Sequence, residues 1–248
     1  MPALMKVIRK KDYSEISEYA SDVIISAIIK NPSLTLCMAS GHTPVLTCTL
    51  LVKKLKEKSI DYSSVFFIGL DEWAGLQPDN KGSCHYFFKT KLFEPLQWEE
   101  AQYFLFNALA DDLEDECERM DKIISARGGI HVMLAGIGIN GHIGFNEPGT
   151  SFNSLSHVAL LDSTTTSAGK KYFEDETVPG KGITIGLEHL LNAKQVILMA
   201  NDEKKAAVIQ RAVEGPVTES FPASVMQLHN NGIILVDEEA ASLLNNRT

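Results

Sequence analysis

Short apolar runs alternate along this chain with longer stretches in which apolar residues recur at helical spacing. EISEYASDVIISAIIK (Glu15 to Lys30) has the helical pattern and stops at NPS, which predicts a helix. LTLCMA (Leu34 to Ala39) is short, apolar and followed by SGHTP, so it reads as a buried strand. Pro44 then suits the first turn of a helix through VLTCTLLVKKLKEK. VFFIGL (Val65 to Leu70) is the next strand, and a helix is expected around HYFFKTKLF. QYFLF is a candidate third strand. DDLEDECERMDKIISARGG runs from acidic to basic and ends in glycine, as a helix with a well-matched dipole does. IHVMLAGIG is a strong strand and HVALL a weaker one. GITIG, QVILMA and GIILV complete the strands, with DEKKAAVIQRAVEG as the last helix.

This alternation predicts an α/β fold with a mostly parallel sheet covered on both faces. No repeat, low-complexity tract or linker-like shift interrupts it, so one domain over residues 1–248 is expected. Hydrophobic residues at 44% and charged residues at 22% are ordinary for a soluble protein. The net charge of -9 argues against nucleic acid or an anionic membrane as the main partner. Any anion must therefore be met by a local cluster of donors. Cys37, Cys48, Cys84 and Cys117 lack metal-ligand spacing and read as reduced thiols of a cytoplasmic protein. No stretch approaches the ~18 consecutive apolar residues of a membrane span. The opening MPALMKVIRKKDYSE lacks the apolar core of a secretory signal.

In open α/β sheets, ligands bind at the carboxyl ends of the strands. Four polar clusters directly follow predicted strands: SGHTP, DEW, GINGHIGFNE and NDEKK. A parallel sheet would bring them to one edge although they are far apart in sequence. Ser40, Gly41, His42 and Thr43 offer hydroxyls and backbone N–H groups at a helix start, the makings of a phosphate cradle. The plainer reading of that stretch is a helix cap. Lys205 near the same edge supplies a positive charge, although lysines there are more often solvated. Asp71 and Glu72 close a buried strand, where partial burial raises a carboxylate toward the range of a general base. Each could equally be an ordinary loop acid.

His142 and Glu147, in the loop GINGHIGFNEPG (Gly138 to Gly149), pair an imidazole with an acid able to orient it for proton transfer. A tight turn is the bland alternative. No second histidine lies at metal-ligand spacing from His142. The G-x-G-x-x-G match at Gly136, Gly138 and Gly141 is not followed by a clean helix start, which disfavours a dinucleotide. What remains is proton shuffling on a small phosphorylated substrate.

SGHTP, LDEW, GINGHIGFNEPG and KKAAVIQRAVEG resemble, in order and spacing, the glucosamine-6-phosphate deaminase and galactosamine-6-phosphate isomerase family. The similarity extends over nearly the whole chain, and GHIGFNEP is its most specific element. The resemblance implies a Rossmann-like three-layer α/β domain without nucleotide, metal or other cofactor. It implies that Ser40, Gly41, His42, Thr43 and Lys205 hold the phosphate of an amino sugar. Asp71, beside Glu72, would move a proton between C2 and C1, and His142 with Glu147 would assist ring opening. Hydrolysis would then release ammonia and leave a ketose 6-phosphate.

Three positions depart from the deaminase pattern. Asn140 stands where that pattern usually has aspartate. Lys171 matches a position that commonly carries arginine near the phosphate. SHVAL lacks the basic pair of an allosteric site for an N-acetylated sugar phosphate. Asn140 and Trp73 look more like the galactosamine branch, so galactosamine 6-phosphate is the expected substrate and glucosamine 6-phosphate the alternative. A 6-phosphogluconolactonase shares the fold but is disfavoured by FNEPG and LDEW. A non-catalytic sugar-phosphate sensor is disfavoured by the presence of Asp71 and His142. Whether the chain forms a homo-oligomer is left open.

Overall fold

The computed structural model describes residues 5–173 and 178–245, so residues 1–4 of the opening stretch lie outside it. β1 (Lys6–Lys10) leads into α1 (Tyr13–Lys30), β2 (Thr35–Met38), α2 (Val45–Glu57), β3 (Phe66–Gly69) and β4 (Asp71–Trp73). α3 (Cys84–Phe88) and α4 (Glu94–Leu96), joined by a π-helical turn, precede β5 (Tyr103–Phe104) and α5 (Leu113–Ala126). Next come β6 (Val132–Gly136), β7 (His157–Leu160), α6 (Ser163–Gly169) and β8 (Lys181–Thr184). The last elements are α7 (Leu187–Asn192), β9 (Gln195–Ala200), α8 (Ala206–Glu214) and β10 (Gly232–Asp237).

Seven strands form one parallel sheet in the order β1-β10-β9-β6-β2-β3-β5. Successive residues of its central strands alternate between two cores, as the pleat requires. Cys37, Ile68, Met133 and Leu198 pack under α5, α7 and α8. Leu36, Phe67, Leu134 and Ile197 pack under α1, α2 and α3. This gives three layers, with the sheet in the middle. Its four central strands are buried on both faces, which is why they read as unbroken apolar runs.

Local signals account for the ends of the long helices. Asp12 caps α1 by accepting from Glu15 N at 3.0 Å, and Asp112 caps α5 by accepting from Glu114 N at 2.8 Å. The chain leaves α5 through Gly128 and Gly129, both at positive φ.

Several elements differ from expectation. HVALL and GITIG lie outside the parallel sheet: β7 and β8 pair antiparallel with each other, and β8 pairs with β4, making a second sheet in the order β4-β8-β7. DEW is thus a strand in its own right rather than a loop. The backbone changes sheets at Leu70, whose N–H donates to Met38 O and whose carbonyl accepts from Ile185 N. The helix expected around HYFFKTKLF is present as one continuous helical run over residues 84–96, with the difference that Lys89–Phe93 take the wider π-helical turn between α3 and α4. β1 is an edge strand with three basic residues (Lys6, Arg9 and Lys10), so it shows no apolar run.

Candidate active site

The carboxyl ends of β9, β6, β2 and β3 lie side by side, and the four polar clusters meet there around a cavity of about 770 Å³. Ser40, Gly41, His42, Thr43, Asp71, His142, Lys171 and Lys205 all line it. Glu72, Asn140 and Glu147 do not; they stand behind it. Lys81, Lys91 and Lys204 also face the cavity, so this acidic protein concentrates cations at one place.

Ser40 to Thr43 form the turn between β2 and α2. Gly41 has φ of +93°, and a Cβ there would lie 2.9 Å from Tyr172 Oη. Both its conformation and the close approach of Tyr172 require glycine. Tyr13 Oη buttresses the turn from outside: it accepts from Leu46 N at 3.1 Å and lies 3.0 Å from Thr43 O. Lys205 Nζ reaches across the cavity floor to donate to Ile137 O at 2.6 Å. Burial, reinforced by the charge of Lys171, lowers its pKa to about 8. Lys171 sits beside Tyr172 on the turn after α6, with its Nζ 5.0 Å from the Tyr172 ring centroid.

Asp71 and Glu72 are neighbours on a strand and point to opposite sides. Asp71 faces the cavity. Burial, and then the Glu72 charge, push its carboxyl up to about 7, against a lowering hydrogen bond from Cys84. Glu72 turns away and accepts from Trp73 N at 2.9 Å, Cys84 N at 3.0 Å and His85 N at 2.8 Å. Its carboxylate ties β4 to the start of α3, which makes it an anchor for this corner rather than a group open to a ligand. Trp73 packs edge-on against Phe145 and Phe173.

The loop after β6 is shaped by its glycines. A Cβ on Gly138 would come within 2.3 Å of the His142 ring. Gly141, at φ of +88°, leaves room for the Phe221 ring, and Gly144, at +59°, for Thr184 Oγ1. His142 Nδ1 has Thr165 Oγ1 as its hydrogen-bond partner at 3.0 Å, while Glu147 Oε2 is 3.8 Å away. Direct orientation of the ring by Glu147 is therefore replaced by a bond to a threonine of α6, with the carboxylate one step behind. Asn140 bridges the two: its Nδ2 donates to Glu147 Oε2 at 2.9 Å and its Oδ1 accepts from His142 N at 3.1 Å. Burial lowers the imidazole pKa, the Glu147 charge opposes this, and Lys205 adds to the lowering. The ring is accordingly held toward its neutral form.

Thr165 is not singled out by the sequence, and Cys84 is read from it only as a reduced thiol, with no part in the site. Thr165 lies in STTTS, which resembles any polar helix start, and Cys84 lies in an unremarkable helix beginning. Among the described residues no group of three His, Cys, Asp or Glu side chains gathers as a metal site. Nor is any described helix long and apolar enough to cross a membrane.

The fold and site define a three-layer α/β protein whose parallel sheet carries, at its carboxyl edge, a cavity lined by lysines, a carboxyl and an imidazole. The family model for glucosamine-6-phosphate isomerases/6-phosphogluconolactonase matches residues 10–235, and the chain belongs to that family. It is 37% identical over 240 residues to glucosamine-6-phosphate deaminase 1 of Bacillus subtilis (strain 168), covering 96% of this chain and 99% of that one. It is 41% identical over 226 residues to the glucosamine-6-phosphate deaminase of Lachnoclostridium phytofermentans, covering 91% and 96% respectively. A solved structure of a monomeric glucosamine-6-phosphate deaminase superposes with a TM-score of 0.94 at 37% identity, over 96% of this chain and 100% of that one. A 6-phosphogluconolactonase from Trypanosoma cruzi shares the fold at a TM-score of 0.79 and 18% identity, over 99% of this chain and 98% of that one.

Proposed function

We propose that this protein is a glucosamine-6-phosphate deaminase, converting glucosamine 6-phosphate to fructose 6-phosphate and ammonia. The observation that carries the chemistry is Asp71, a cavity-facing carboxyl held near neutrality between a phosphate cradle and an imidazole. A base with a pKa of about 7 both takes and returns a proton at physiological pH. The cradle turn, Lys205 and Lys171 receive the phosphate. His142, its Nδ1 engaged by Thr165, uses Nε2 in opening the sugar ring. Asp71 then removes the C2 proton of the open aldehyde to give an enolamine and returns the proton to C1. The resulting imine at C2 adds water and expels ammonia, leaving the ketose. Asn140, Glu147 and Glu72 act from behind the cavity, as supports for His142 and for the start of α3.

The choice of epimer rests on the relatives. Asn140 and Trp73 led to the expectation of galactosamine 6-phosphate, whereas the relatives compared carry the glucosamine name. Asn140 spends both ends of its amide on Glu147 and His142, which makes it a poor reader of a sugar hydroxyl. An ammonia-release assay with both epimers, without added metal or nucleotide, tests the reading. Faster turnover of glucosamine 6-phosphate is expected. Faster turnover of the galactosamine epimer would restore the galactosamine 6-phosphate expectation, and binding of both without turnover would make the protein a sensor.

A further inference from the structure

Cys84 joins two parts of the cavity that the proposed reaction uses separately. It opens α3, is 4% exposed, and lines the cavity wall. Its Sγ accepts a hydrogen bond from Ser40 Oγ at 3.0 Å and lies 3.7 Å from Asp71 Oδ1. A thiol has one proton. Since Ser40 donates to the sulfur, that proton is available for Asp71, and the chain Ser40, Cys84, Asp71 has a single direction. Cys84 is itself held in place, because its backbone N–H donates to Glu72 Oε1 at 3.0 Å. Glu72 therefore fixes the group that touches its neighbour Asp71.

Among the described residues, the titratable groups around Asp71 are Glu72 on its own strand, Cys84 from α3, Cys37 from β2 and Tyr172 from the turn after α6. Only Cys84, among the described residues, gives it a side-chain hydrogen bond. Burial together with the Glu72 and Asp71 charges keeps this thiol protonated, well above its ordinary range, so it serves as a donor and not as a nucleophile.

We propose that Cys84 is a positioning residue for the base: its thiol, supported by Ser40, fixes Asp71 Oδ1 and leaves the other carboxylate oxygen to meet the substrate. This rests on the reading of Asp71 as the base. It also divides the cradle turn, since Ser40 commits its hydroxyl proton to the Cys84 sulfur behind the base and leaves phosphate recognition to the residues after it. A weak S–H donor orients the carboxylate without drawing its pKa far down, as a stronger hydroxyl donor would.

The test combines pH profiles with the infrared S–H stretch. Cys84→Ala should lower kcat roughly threefold to tenfold and move the acidic limb of kcat/KM upward by about half a pH unit, because the ionised carboxylate loses a donor. Cys84→Ser should recover kcat with its limb at or below the wild-type position. The S–H band lost in Cys84→Ala identifies this thiol, and in wild type it should move to lower frequency as pH rises through about 7. That movement should be absent in Asp71→Asn. A stationary band, or a Cys84→Ala limb that coincides with wild type, overturns the inference. Full activity in Asp71→Asn would instead remove the base reading, and the inference with it, even if the band still titrates.

Discussion

Asp71→Asn should make the folded protein more stable at alkaline pH while disabling it. The Asp71 carboxyl has a pKa of about 7 in the fold against 3.8 for the unperturbed group. Folding therefore favours the protonated form, and the linkage sign follows: stability falls as pH rises from about 3.8 through about 7, where the native group is finally ionised. Integrating between pH 5 and pH 8 with these two values gives a ceiling of about 2.6 kcal/mol lost by wild type and not by the variant. The carboxyl keeps partial contact with the open cavity, so solvent screening reduces this to roughly 1–2 kcal/mol. Urea unfolding at the two pH values measures it. With a slope of about 2–3 kcal/mol per molar, the advantage of Asp71→Asn should widen by roughly 0.5 M in midpoint from pH 5 to pH 8. The same preparation should show kcat reduced by about 10² or more. A midpoint difference that stays constant with pH, or that shrinks, would refute the claim that the fold raises this carboxyl.

Two further outcomes follow from the cavity. Thr165→Val keeps the shape of the side chain but leaves His142 Nδ1 without its partner, so kcat should fall by about tenfold or more with little change in KM, and Thr165→Ser should restore it; equal kcat in all three would release the imidazole from α6. Lys205 loses its charge above about pH 8, so KM should rise there in wild type, whereas Lys205→Ala should start from a higher KM and lack that rise; parallel KM curves would mean that Lys205 does not meet the phosphate.

The central strands were legible because burial on both faces writes a continuous apolar run, and a parallel sheet then places every following loop at one edge. That logic brought Ser40, Asp71, His142 and Lys205 together from four separate segments that follow strands of the parallel sheet. It failed where tertiary context decides. β1 has one partner strand and a charged edge, so its five residues resemble a surface tail. β7 and β8 have strand-like sequences that say nothing about which sheet they join. Asp71 and Glu72 were equal candidates because adjacent carboxylates differ only in the side of the pleat they occupy, which depended on finding that DEW is a strand. Thr165 and Cys84 carry no pattern at all, since a hydroxyl or thiol becomes a partner only when packing brings it to the right atom.

The glycines of the loop after β6 have a consequence for how this loop can be inherited or transplanted. Three of them, Gly138, Gly141 and Gly144, are each met by a side chain from a different place: His142 from the loop itself, Phe221 from the segment before β10, and Thr184 from the end of β8. The loop is therefore a casting, and two of its moulds, Phe221 and Thr184, lie tens of residues away along the chain. Grafting Gly138 to Gly149 into a related scaffold would carry the imprint without the objects that made it. The transplant would hold its shape only if residues equivalent to Phe221 and Thr184 were already waiting there.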